Sequence, residues 1–247
     1  MKISDTVLNI LGQCRTEGNI LYLPDVQLDR AEYQAVNKVL EMLGGKWNRK
    51  AKGHVFDYDP EEAIETAILT GDVENTKKTF QFFPTPKEVG NYLCDLADIT
   101  SESSVLEPSC GNGSLADVIA ERNPANLHGV ELNTDMKRYL DEKPYPVCFC
   151  DFLSFVPPVE YDRIIMNPPF TKHQDIQHVM KAYEILEVGG ILVSVMSVSP
   201  FFRTDAVSVE FRKFLEEHNA AVFKLPEGAF KESGTMVRTC VVRIVKE

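Results

Sequence analysis

The fold of this chain is decided by residues 105–115, which read Val-Leu-Glu-Pro-Ser-Cys-Gly-Asn-Gly-Ser-Leu. The apolar run from Ser103 to Leu106 predicts a short strand, and helical periodicity resumes from Leu115 to Ala120. Between strand and helix, Gly111 and Gly113 permit positive φ and let a ligand approach the backbone closely. The stretch lacks the third glycine of the dinucleotide fingerprint, so it is weak evidence for a nicotinamide or flavin cofactor. It predicts the strand, glycine loop and helix of an α/β fold.

Polar side chains follow the next three predicted strands, at the point where each strand ends. The strands, each with its polar residue, are 127–131 with Glu131, 147–150 with Asp151, and 161–166 with Asn167. In open α/β sheets, ligands bind beyond the carboxyl ends of the strands. An acid in the place of Glu131 can bind ribose hydroxyls in nucleotide-binding folds of this kind. We therefore expect these side chains to share one ligand site with the glycine loop.

The segment Asn167-Pro168-Pro169-Phe170 suits the recognition of a flat molecule through an exocyclic amino group. Asn167 can accept a hydrogen bond through its side-chain oxygen. Pro168 keeps its carbonyl but has no N–H, and consecutive prolines restrict the backbone so that the two acceptors can converge. Phe170 offers a face for stacking. The alternative interpretation is a proline-stiffened strand end.

The order of elements predicts two domains, residues 1–78 and residues 79–247. In the second domain strands and helices alternate, which predicts a mostly parallel sheet with helices on both faces. Thr85 to Glu88 is typical of a helix capping box with proline at the first helical position. The remaining predicted strands are 191–196, 221–224 and 238–245.

The first domain is predicted to be a small α+β module. A helix within residues 25–43 stops at Gly44-Gly45, a hairpin-like stretch follows from 46 to 58, and a second helix opens near Asp59. This order suits a winged-helix-like module.

The stretch from residue 46 to residue 52 reads Lys-Trp-Asn-Arg-Lys-Ala-Lys and contains the chain's only tryptophan. A solvated basic hairpin is one interpretation. The other is a loop in which Lys46, Arg49 and Lys50 contact phosphates, while Trp47 packs underneath or stacks on a base.

Composition excludes several classes of protein. The net charge of −11 argues against a general nucleic-acid binder but does not exclude a local basic patch. No stretch approaches the ~18 apolar residues of a membrane span, and the N-terminus lacks a signal-peptide pattern. Six scattered cysteines without a C-x-x-C pair indicate reduced thiols and a cytoplasmic protein. We expect no metal site, since Cys148 and Cys150 read as packing residues of a buried strand.

The chain resembles the S-adenosylmethionine-dependent amino-methyltransferases, in particular the DNA adenine-N6 enzymes. Six segments look like their motifs X, I, II, III, IV and VIII: residues 82–86, 107–113, Glu131, Asp151-Phe152, 167–170 and 225–230. Motif X before motif I is similar to the gamma-class order, and the likeness covers roughly residues 80–247. It implies a class I Rossmann-like sheet of seven strands, mostly parallel, with the last strand inserted antiparallel beside the fifth.

The resemblance also implies roles for residues. The cofactor S-adenosylmethionine would be bound by Phe83, Thr85, Glu107, Pro108, Gly111, Gly113, Glu131, Asp151 and Phe152. Catalysis would fall to Asn167, Pro168, Pro169 and Phe170, and the target base would be held by Phe170 and Phe230. For Phe230 a place in the core is the alternative, and for Asp151 a helix N-cap.

Family members usually carry a target recognition domain, whereas this chain ends directly after its last predicted strand. It therefore resembles phage and bacterial orphan enzymes that lack a separate C-terminal target recognition domain. The expected partner is DNA with an adenine target. The same chemistry serves other planar amines, so RNA (adenine N6 or guanine N2) and a protein glutamine amide are alternatives. A catalytically silent subunit that binds cofactor or DNA is a further alternative.

Overall fold

The computed structural model describes residues 1–73, 83–234 and 236–247, which form two compact units. The first unit contains the described residues of Met1–Phe80 together with Val198–Glu210. The second contains the described residues of Gln81–Ser197 and Phe211–Glu247. The predicted domain boundary between residues 78 and 79 lies outside the described residues.

Residues 198–210 depart from the predicted division, which places them in the second domain. Arg203 supplies the physical reason, because its guanidinium is buried within the first unit. Its Nη2 donates to the carbonyl of Gly12 at 3.2 Å, and its Nη1 lies 3.5 Å from a carboxylate oxygen of Glu65. Its Nε donates to Asp205 at 2.9 Å. A buried guanidinium needs such partners, and the first unit provides them.

The first unit is an α+β module with two hairpins. Its elements are α1 (Asp5–Gly12), β1 (Arg15–Glu17), β2 (Ile20–Tyr22), α2 (Arg30–Met42), β3 (Lys46–Asn48), β4 (Gly53–Val55) and α3 (Glu61–Thr70). The strands form an antiparallel sheet in the order β1-β2-β4-β3. The predicted helix, hairpin and helix correspond to α2, β3–β4 and α3. Helix α1 and the β1–β2 hairpin were not predicted, and the winged-helix-like comparison stays a prediction.

Helix α2 shows how local sequence forms this unit. Asp29 accepts the backbone N–H of Glu32 at 2.7 Å, and Glu32 accepts the backbone N–H of Asp29 at 3.0 Å. This capping box satisfies donors that the first turn leaves without helical partners. Val36 and Leu40, four residues apart, face the core and are completely buried.

The second unit is built on a seven-stranded sheet. Its helices are α4 (Lys87–Leu96), α5 (Ser114–Ala120), α6 (Lys137–Leu140), α7 (Gln174–Ile185) and α8 (Ala206–Glu217), the last of which begins in the first unit. Its strands are β5 (Ser104–Glu107), β6 (Asn126–Glu131), β7 (Val147–Phe149), β8 (Tyr161–Met166), β9 (Leu186–Ser197), β10 (Ala221–Lys224) and β11 (Thr239–Val245). No helix in the described part of the chain combines the length and apolar character that crossing a bilayer requires.

The strand order β10-β11-β9-β8-β5-β6-β7 confirms the predicted sheet, which has helices on both sides. Strands β5 to β9 run parallel, and β11 inserts antiparallel between β9 and β10. Strand β7 lies at the edge, so the prediction of a buried strand there was wrong. Cys148 is exposed, and among the described residues β7 pairs with a strand on one side only, β6.

Parallel pairing brings the carboxyl ends of β5, β6, β7 and β8 to one edge of the sheet. The residues that end or follow these strands there, with the segment before α4, are called the carboxyl-edge site: residues 83–85, 107–113, Glu131, 151–152 and 167–170. The fold therefore places the expected ligand-binding residues at the edge where such sheets bind ligands.

Candidate functional site

The side-chain amide of Asn167 has one orientation that its surroundings allow. Its Nδ2 donates to the carbonyl oxygen of Phe83 at 3.3 Å and to Oγ1 of Thr85 at 3.1 Å. Because a carbonyl oxygen only accepts, the nitrogen must face Phe83. The amide oxygen Oδ1 is buried and has no hydrogen-bond partner among the described residues. Such an acceptor costs ~1–3 kcal/mol unless a donor reaches it, so it marks a place for an N–H group.

The contact with Asn167 also explains why the capping box predicted at Thr85 does not form. Helix α4 begins at Lys87 with Pro86 as its N-cap, and no side chain caps it. Thr85 is buried and accepts from Asn167, which follows β8. Phe82, which belongs to the segment likened to motif X, lies outside the described residues.

The prolines and aromatic residues after Asn167 differ in exposure. Pro168 is buried, Pro169 is exposed, and Phe170 is half-buried against the core of the second unit. Phe230 is only 2% exposed and belongs to that core. Phe230 is therefore a core residue, the second of the two roles considered for it, because a buried ring offers no free face for stacking on a base. Phe170 keeps part of its surface accessible.

The backbone after Phe170 is strained. Lys172 and His173 both lie in the left-handed region, with φ of 54° and 60°. A non-glycine residue there costs of order 1–3 kcal/mol, and such strain concentrates at functional sites. Helix α7 begins at the next residue, Gln174. The two residues thus turn the chain sharply between the Asn-Pro-Pro-Phe segment and α7.

The side chain of Tyr145 packs against the glycine loop at Gly113. Gly113 has a φ of 87°, and a Cβ at that position would lie 2.7 Å from the hydroxyl of Tyr145. That hydroxyl donates to Asp117 at 2.8 Å, and Lys143 pairs with the same carboxylate at 2.5 Å. Neither Tyr145 nor Asp117 was predicted. The contact joins residues 28 positions apart, and no local pattern indicates it.

Glu131 ties β6 to the glycine loop. Its Oε2 accepts the backbone N–H of Gly111 at 2.6 Å, and its Oε1 accepts that of Asn133 at 2.7 Å. Each carboxylate oxygen has a second lone pair, so Glu131 can still accept from hydroxyl groups. It therefore orders the loop and keeps capacity for a ligand.

Glu107 is the most unusual ionisable group of the carboxyl-edge site. It is 1% exposed, and Oε2 has no hydrogen-bond partner among the described residues. Burial raises the pKa of Glu107 to about 8, and the charges of Glu131 and Asp117 add to this. The N–H of Ala116 and the thiol of Cys110 oppose the rise in pKa. A buried carboxyl group of this kind is suited to a cationic or hydrogen-bonding ligand group. Pro108, which follows it, is buried too.

Asp151 and Phe152 begin a short 3₁₀ turn. Oδ1 of the exposed Asp151 caps this turn by accepting the backbone N–H of Leu153 at 2.9 Å. Phe152 is 3% exposed, so it forms a buried wall rather than an open face. The apolar side chains exposed at these strand ends are Leu132 and Leu153, which were not predicted to bind a ligand.

His178 supports this part of the site from α7 and was also missed. Its Nδ1 lies 3.2 Å from Oγ of Ser109, and its ring centroid lies 5.3 Å from that of Phe152. Burial lowers its pKa to about 4, although the charge of Asp151 opposes this. The ring is therefore neutral at pH 7. It joins the glycine loop to the segment after β7.

The remaining predicted site residues, Lys46, Trp47, Arg49 and Lys50, lie in the first unit. All four are exposed and belong to strand β3 or to the turn that follows it. The described residues contain no group of three or more His, Cys, Asp or Glu side chains that could hold a metal ion.

The curated proteins that match parts of the chain include two methyltransferases. The type II methyltransferase M.HincII of Haemophilus influenzae is 31% identical over 101 residues, 41% of this chain and 19% of that protein. The ribosomal RNA large subunit methyltransferase G of Magnetococcus marinus is 29% identical over 109 residues, 38% of this chain and 29% of that protein. The chain thus spans less than a third of the length of these relatives.

Fold similarity extends further than sequence similarity. A class I S-adenosylmethionine-dependent methyltransferase structure from Listeria monocytogenes aligns with a TM-score of 0.54 and 14% identity. The alignment covers 98% of this chain and 79% of that one, which shows a common fold, the class I Rossmann-like fold. The model of the methyltransferase small domain matches residues 92–225, more than half of the chain. The chain therefore belongs to the methyltransferase small domain family, whose methyl donor is S-adenosylmethionine.

Proposed function

We propose that this protein transfers a methyl group from S-adenosylmethionine to the exocyclic N6 of adenine in DNA. The observation that carries the proposal is the buried, unpartnered Oδ1 of Asn167, whose Nδ2 is already engaged by Phe83 and Thr85. An oxygen fixed in this way accepts from an amino group and rejects a carbonyl. Uracil-like or hypoxanthine-like edges, which present a carbonyl there, would be disfavoured.

The residues of the carboxyl-edge site fit S-adenosylmethionine. Glu107 offers an unpartnered buried oxygen to the methionine ammonium group, and Gly111 and Gly113 let a ligand approach the backbone. When bound, S-adenosylmethionine supplies a methyl group on a positively charged sulfur. The other residues proposed to bind it are Phe83, Thr85, Pro108, Glu131, Asp151 and Phe152.

The individual contacts follow from the chemistry of each group. Glu131 keeps lone pairs for ribose hydroxyls, and the second carboxylate oxygen of Asp151 can accept from the adenosyl amino group. Phe152 is proposed to back the adenine ring as a wall. Leu132 and Leu153 are exposed apolar candidates for the rim of the same pocket.

The target amino group is activated by two acceptors. Adenine N6 is a poor nucleophile because its lone pair is delocalised into the ring. Hydrogen bonds to Oδ1 of Asn167 and to the carbonyl of Pro168 return electron density to the nitrogen. These bonds strengthen as the nitrogen becomes positive, so they favour the transition state over the ground state. The nitrogen gains the methyl group as the bond from that carbon to sulfur breaks, and one proton of the amino group is released to solvent afterwards, so no strong general base is required before methyl transfer.

A base inside a duplex cannot reach a buried acceptor. The target is therefore flipped out or single-stranded, at a cost of a few kcal/mol. Phe170 is the aromatic side chain proposed to stack on it, since Phe230 is buried in the core.

DNA is favoured as the substrate by the resemblance of the motif order and of residues 225–230 to the DNA adenine-N6 enzymes. The match to a type II methyltransferase also supports this choice. RNA is the second candidate, and the relative named as a ribosomal RNA methyltransferase favours it.

A panel of substrates tests the proposal. Purified protein is incubated with methyl-labelled S-adenosylmethionine and duplex DNA, single-stranded DNA, structured RNA or a glutamine-containing protein. We expect label in DNA, recovered as N6-methyladenine after digestion. Label only in RNA or protein would overturn the choice of substrate. Tight cofactor binding without label in any substrate would indicate a silent subunit.

A further inference from the structure

The hairpin of residues 46–55, called hairpin 46–55, concentrates positive charge in an acidic chain. Four of the chain's 26 Lys and Arg residues lie within positions 46–52, while the net charge of the whole chain is −11. No Asp or Glu occurs between Met42 and Phe56. The hairpin comprises strands β3 and β4 and the turn between them, and β3 is an edge strand.

The cations of hairpin 46–55 are not used to hold the fold. Lys46, Arg49, Lys50 and Lys52 are exposed, and none of them forms an ion pair within residues 1–73, 83–234 and 236–247. The other cations of the first unit include several in ion pairs, such as Arg15 with Glu17 and Arg203 with Asp205. The hairpin cations are thus available for an external anion.

The turn is ordered by a side chain rather than left loose. Oδ1 of Asn48 accepts the backbone N–H of Lys50 at 2.9 Å and that of Ala51 at 3.0 Å. Lys52 adopts the left-handed region with a φ of 54°. An ordered turn loses less conformational entropy when its side chains bind a ligand.

Trp47, which lies between these cations in the sequence, packs against the buried side chain of His54. Trp47 is 48% exposed, and its ring meets the ring of His54 edge-on at a centroid distance of 5.3 Å. His54 is completely buried, and its Nε2 lies 2.9 Å from Oδ1 of Asn37 on α2. Burial lowers the pKa of His54, although the charge of Glu41 opposes this, so the ring is neutral at pH 7. Trp47 therefore remains half exposed next to these cations.

We propose that hairpin 46–55 binds the phosphodiester backbone of the nucleic acid substrate, with Arg49 and Lys50 on phosphates and Trp47 against a base or sugar. The choice of DNA as the bound polymer rests on the proposed function. The binding itself follows from charge complementarity, because an acidic protein needs a local cationic surface to approach a polyanion. Each phosphate contact releases counterions, which gives it a measurable salt signature.

Paired charge-removal variants of the full-length protein test this proposal. Arg49→Gln/Lys50→Gln removes two hairpin cations and leaves Lys52, whose backbone is strained, in place. Arg15→Gln/Lys213→Gln removes two exposed cations elsewhere and gives the same net charge. Binding to a fluorescent duplex is measured between about 50 and 200 mM salt, with single-stranded DNA and duplex RNA as further arms.

We expect the hairpin variant to bind duplex DNA at least tenfold more weakly at 100 mM salt. Its slope of log affinity against log salt should be smaller by roughly 1.8, about 0.9 for each lost contact. The control variant should keep the slope of the unmodified protein. A hairpin variant with an unchanged slope overturns the proposal. Stronger dependence on the hairpin with duplex RNA than with DNA would overturn the choice of polymer.

Failure of the hairpin proposal can be told apart from failure of the proposed methyl transfer. Binding is measured without S-adenosylmethionine, so it does not require methyl transfer. If the hairpin proposal fails while DNA is still methylated, the chemistry at Asn167 is unaffected. If DNA is bound through the hairpin but not methylated, the proposed reaction fails alone.

Discussion

The carboxyl-edge site and hairpin 46–55 use opposite kinds of polar group. The site offers buried acceptors, Oδ1 of Asn167 and Oε2 of Glu107, each without a partner among the described residues. The hairpin offers exposed cations that make no ion pair with any residue that the structure describes. Buried acceptors select ligands that place a hydrogen-bond donor in the right direction, because a buried polar atom left without a hydrogen bond costs free energy. Exposed cations discriminate by charge alone, and salt screens them.

On our proposals the two regions have separate roles, because the carboxyl-edge site carries out methyl transfer and hairpin 46–55 binds the nucleic acid. Changes at the carboxyl-edge site should alter rates or cofactor affinity with little dependence on salt. Changes in hairpin 46–55 should alter affinity for the nucleic acid with a strong dependence on salt.

Asn167→Ala should have the largest effect. Loss of the acceptor should lower the single-turnover rate of methyl transfer about 10²–10³-fold, since an interaction used mainly in the transition state is removed. Affinity for S-adenosylmethionine, measured by calorimetry, should change less than about twofold. Asn126→Ala, which removes an exposed amide at the amino end of β6, is the matched control. Equal losses of rate and affinity would mean that Asn167 has a structural role.

Glu107→Gln should weaken S-adenosylmethionine binding about tenfold or more at pH 8.5, because the buried charge that offsets the ammonium group is lost. In the unmodified protein, affinity should rise with pH up to about 8, since binding requires the ionised carboxylate. In the variant, this contribution to the pH dependence should disappear. Titrations at several pH values, with S-adenosylhomocysteine as a stable ligand, measure both effects. Identical pH profiles would contradict the role of Glu107.

The same variant should be more stable without ligand. The pKa of Glu107 is about 8 in the folded protein against 4.5 as the ordinary value, so folding favours the protonated form. Its stabilising contribution is complete below pH 4.5 and is lost as the pH rises through 8. Glu107→Gln should therefore be more stable than the unmodified protein by up to ~5 kcal/mol at pH 8.5, with the gain shrinking toward pH 4.5. Urea unfolding at both pH values measures it, and a variant less stable at pH 8.5 would refute the argument.

Thr85→Val should have a smaller effect on the rate. Valine fills the same volume but removes the oxygen that holds Nδ2 of Asn167, leaving only the carbonyl of Phe83. We expect methyl transfer to slow about tenfold, or ~1.4 kcal/mol, with a nearly unchanged melting temperature. Thr85→Ser keeps the hydroxyl and should retain most of the activity. If Thr85→Ser slows transfer as much as Thr85→Val, the hydroxyl does not position the amide.

Trp47→Ala should have the smallest effect and only on binding. Loss of a stacking surface should weaken single-stranded DNA binding about fivefold, the lower end of the range for base–aromatic contacts. The rate of transfer at saturating DNA should stay the same, and Trp47→Phe should restore part of the affinity. A lower saturated rate would show that attachment and chemistry are not separate.

Much of the second unit could be predicted because its signals are local. Strands β5 to β8 are short runs, each ending in or followed by a polar residue, so this part of the sheet and its carboxyl edge follow from the sequence pattern. The position of β11 between β9 and β10 could not be predicted from spacing alone, and its prediction beside the fifth strand rests on the family resemblance. The buried state of Phe230 was left open, because an aromatic residue after a glycine loop can pack inward or outward.

The differences between prediction and structure depend on contacts and neighbours that local sequence does not show. Thr85 fits the sequence pattern of a helix cap, yet its hydroxyl oxygen accepts a hydrogen bond from Asn167, which lies far along the chain. Residues 198–210 carry no sign of leaving the second unit, and the partners of Arg203 become known only in the folded protein. Cys148 alternates with its neighbours like a buried residue, yet it is exposed on β7, which pairs only with β6 in the part of the chain that the structure describes. Local sequence cannot report such contacts.

We propose that Asn167 and Pro168 bind the amino group of the target base through two acceptor oxygens. A crystal structure of the protein with a non-reactive cofactor analogue and adenine-containing DNA measures this directly. We expect Oδ1 of Asn167 and the carbonyl oxygen of Pro168 each to lie within about 3.2 Å of N6 of a base outside the helical stack. A bound base whose N6 lies away from both oxygens, with Oδ1 meeting a protein donor instead, would contradict it.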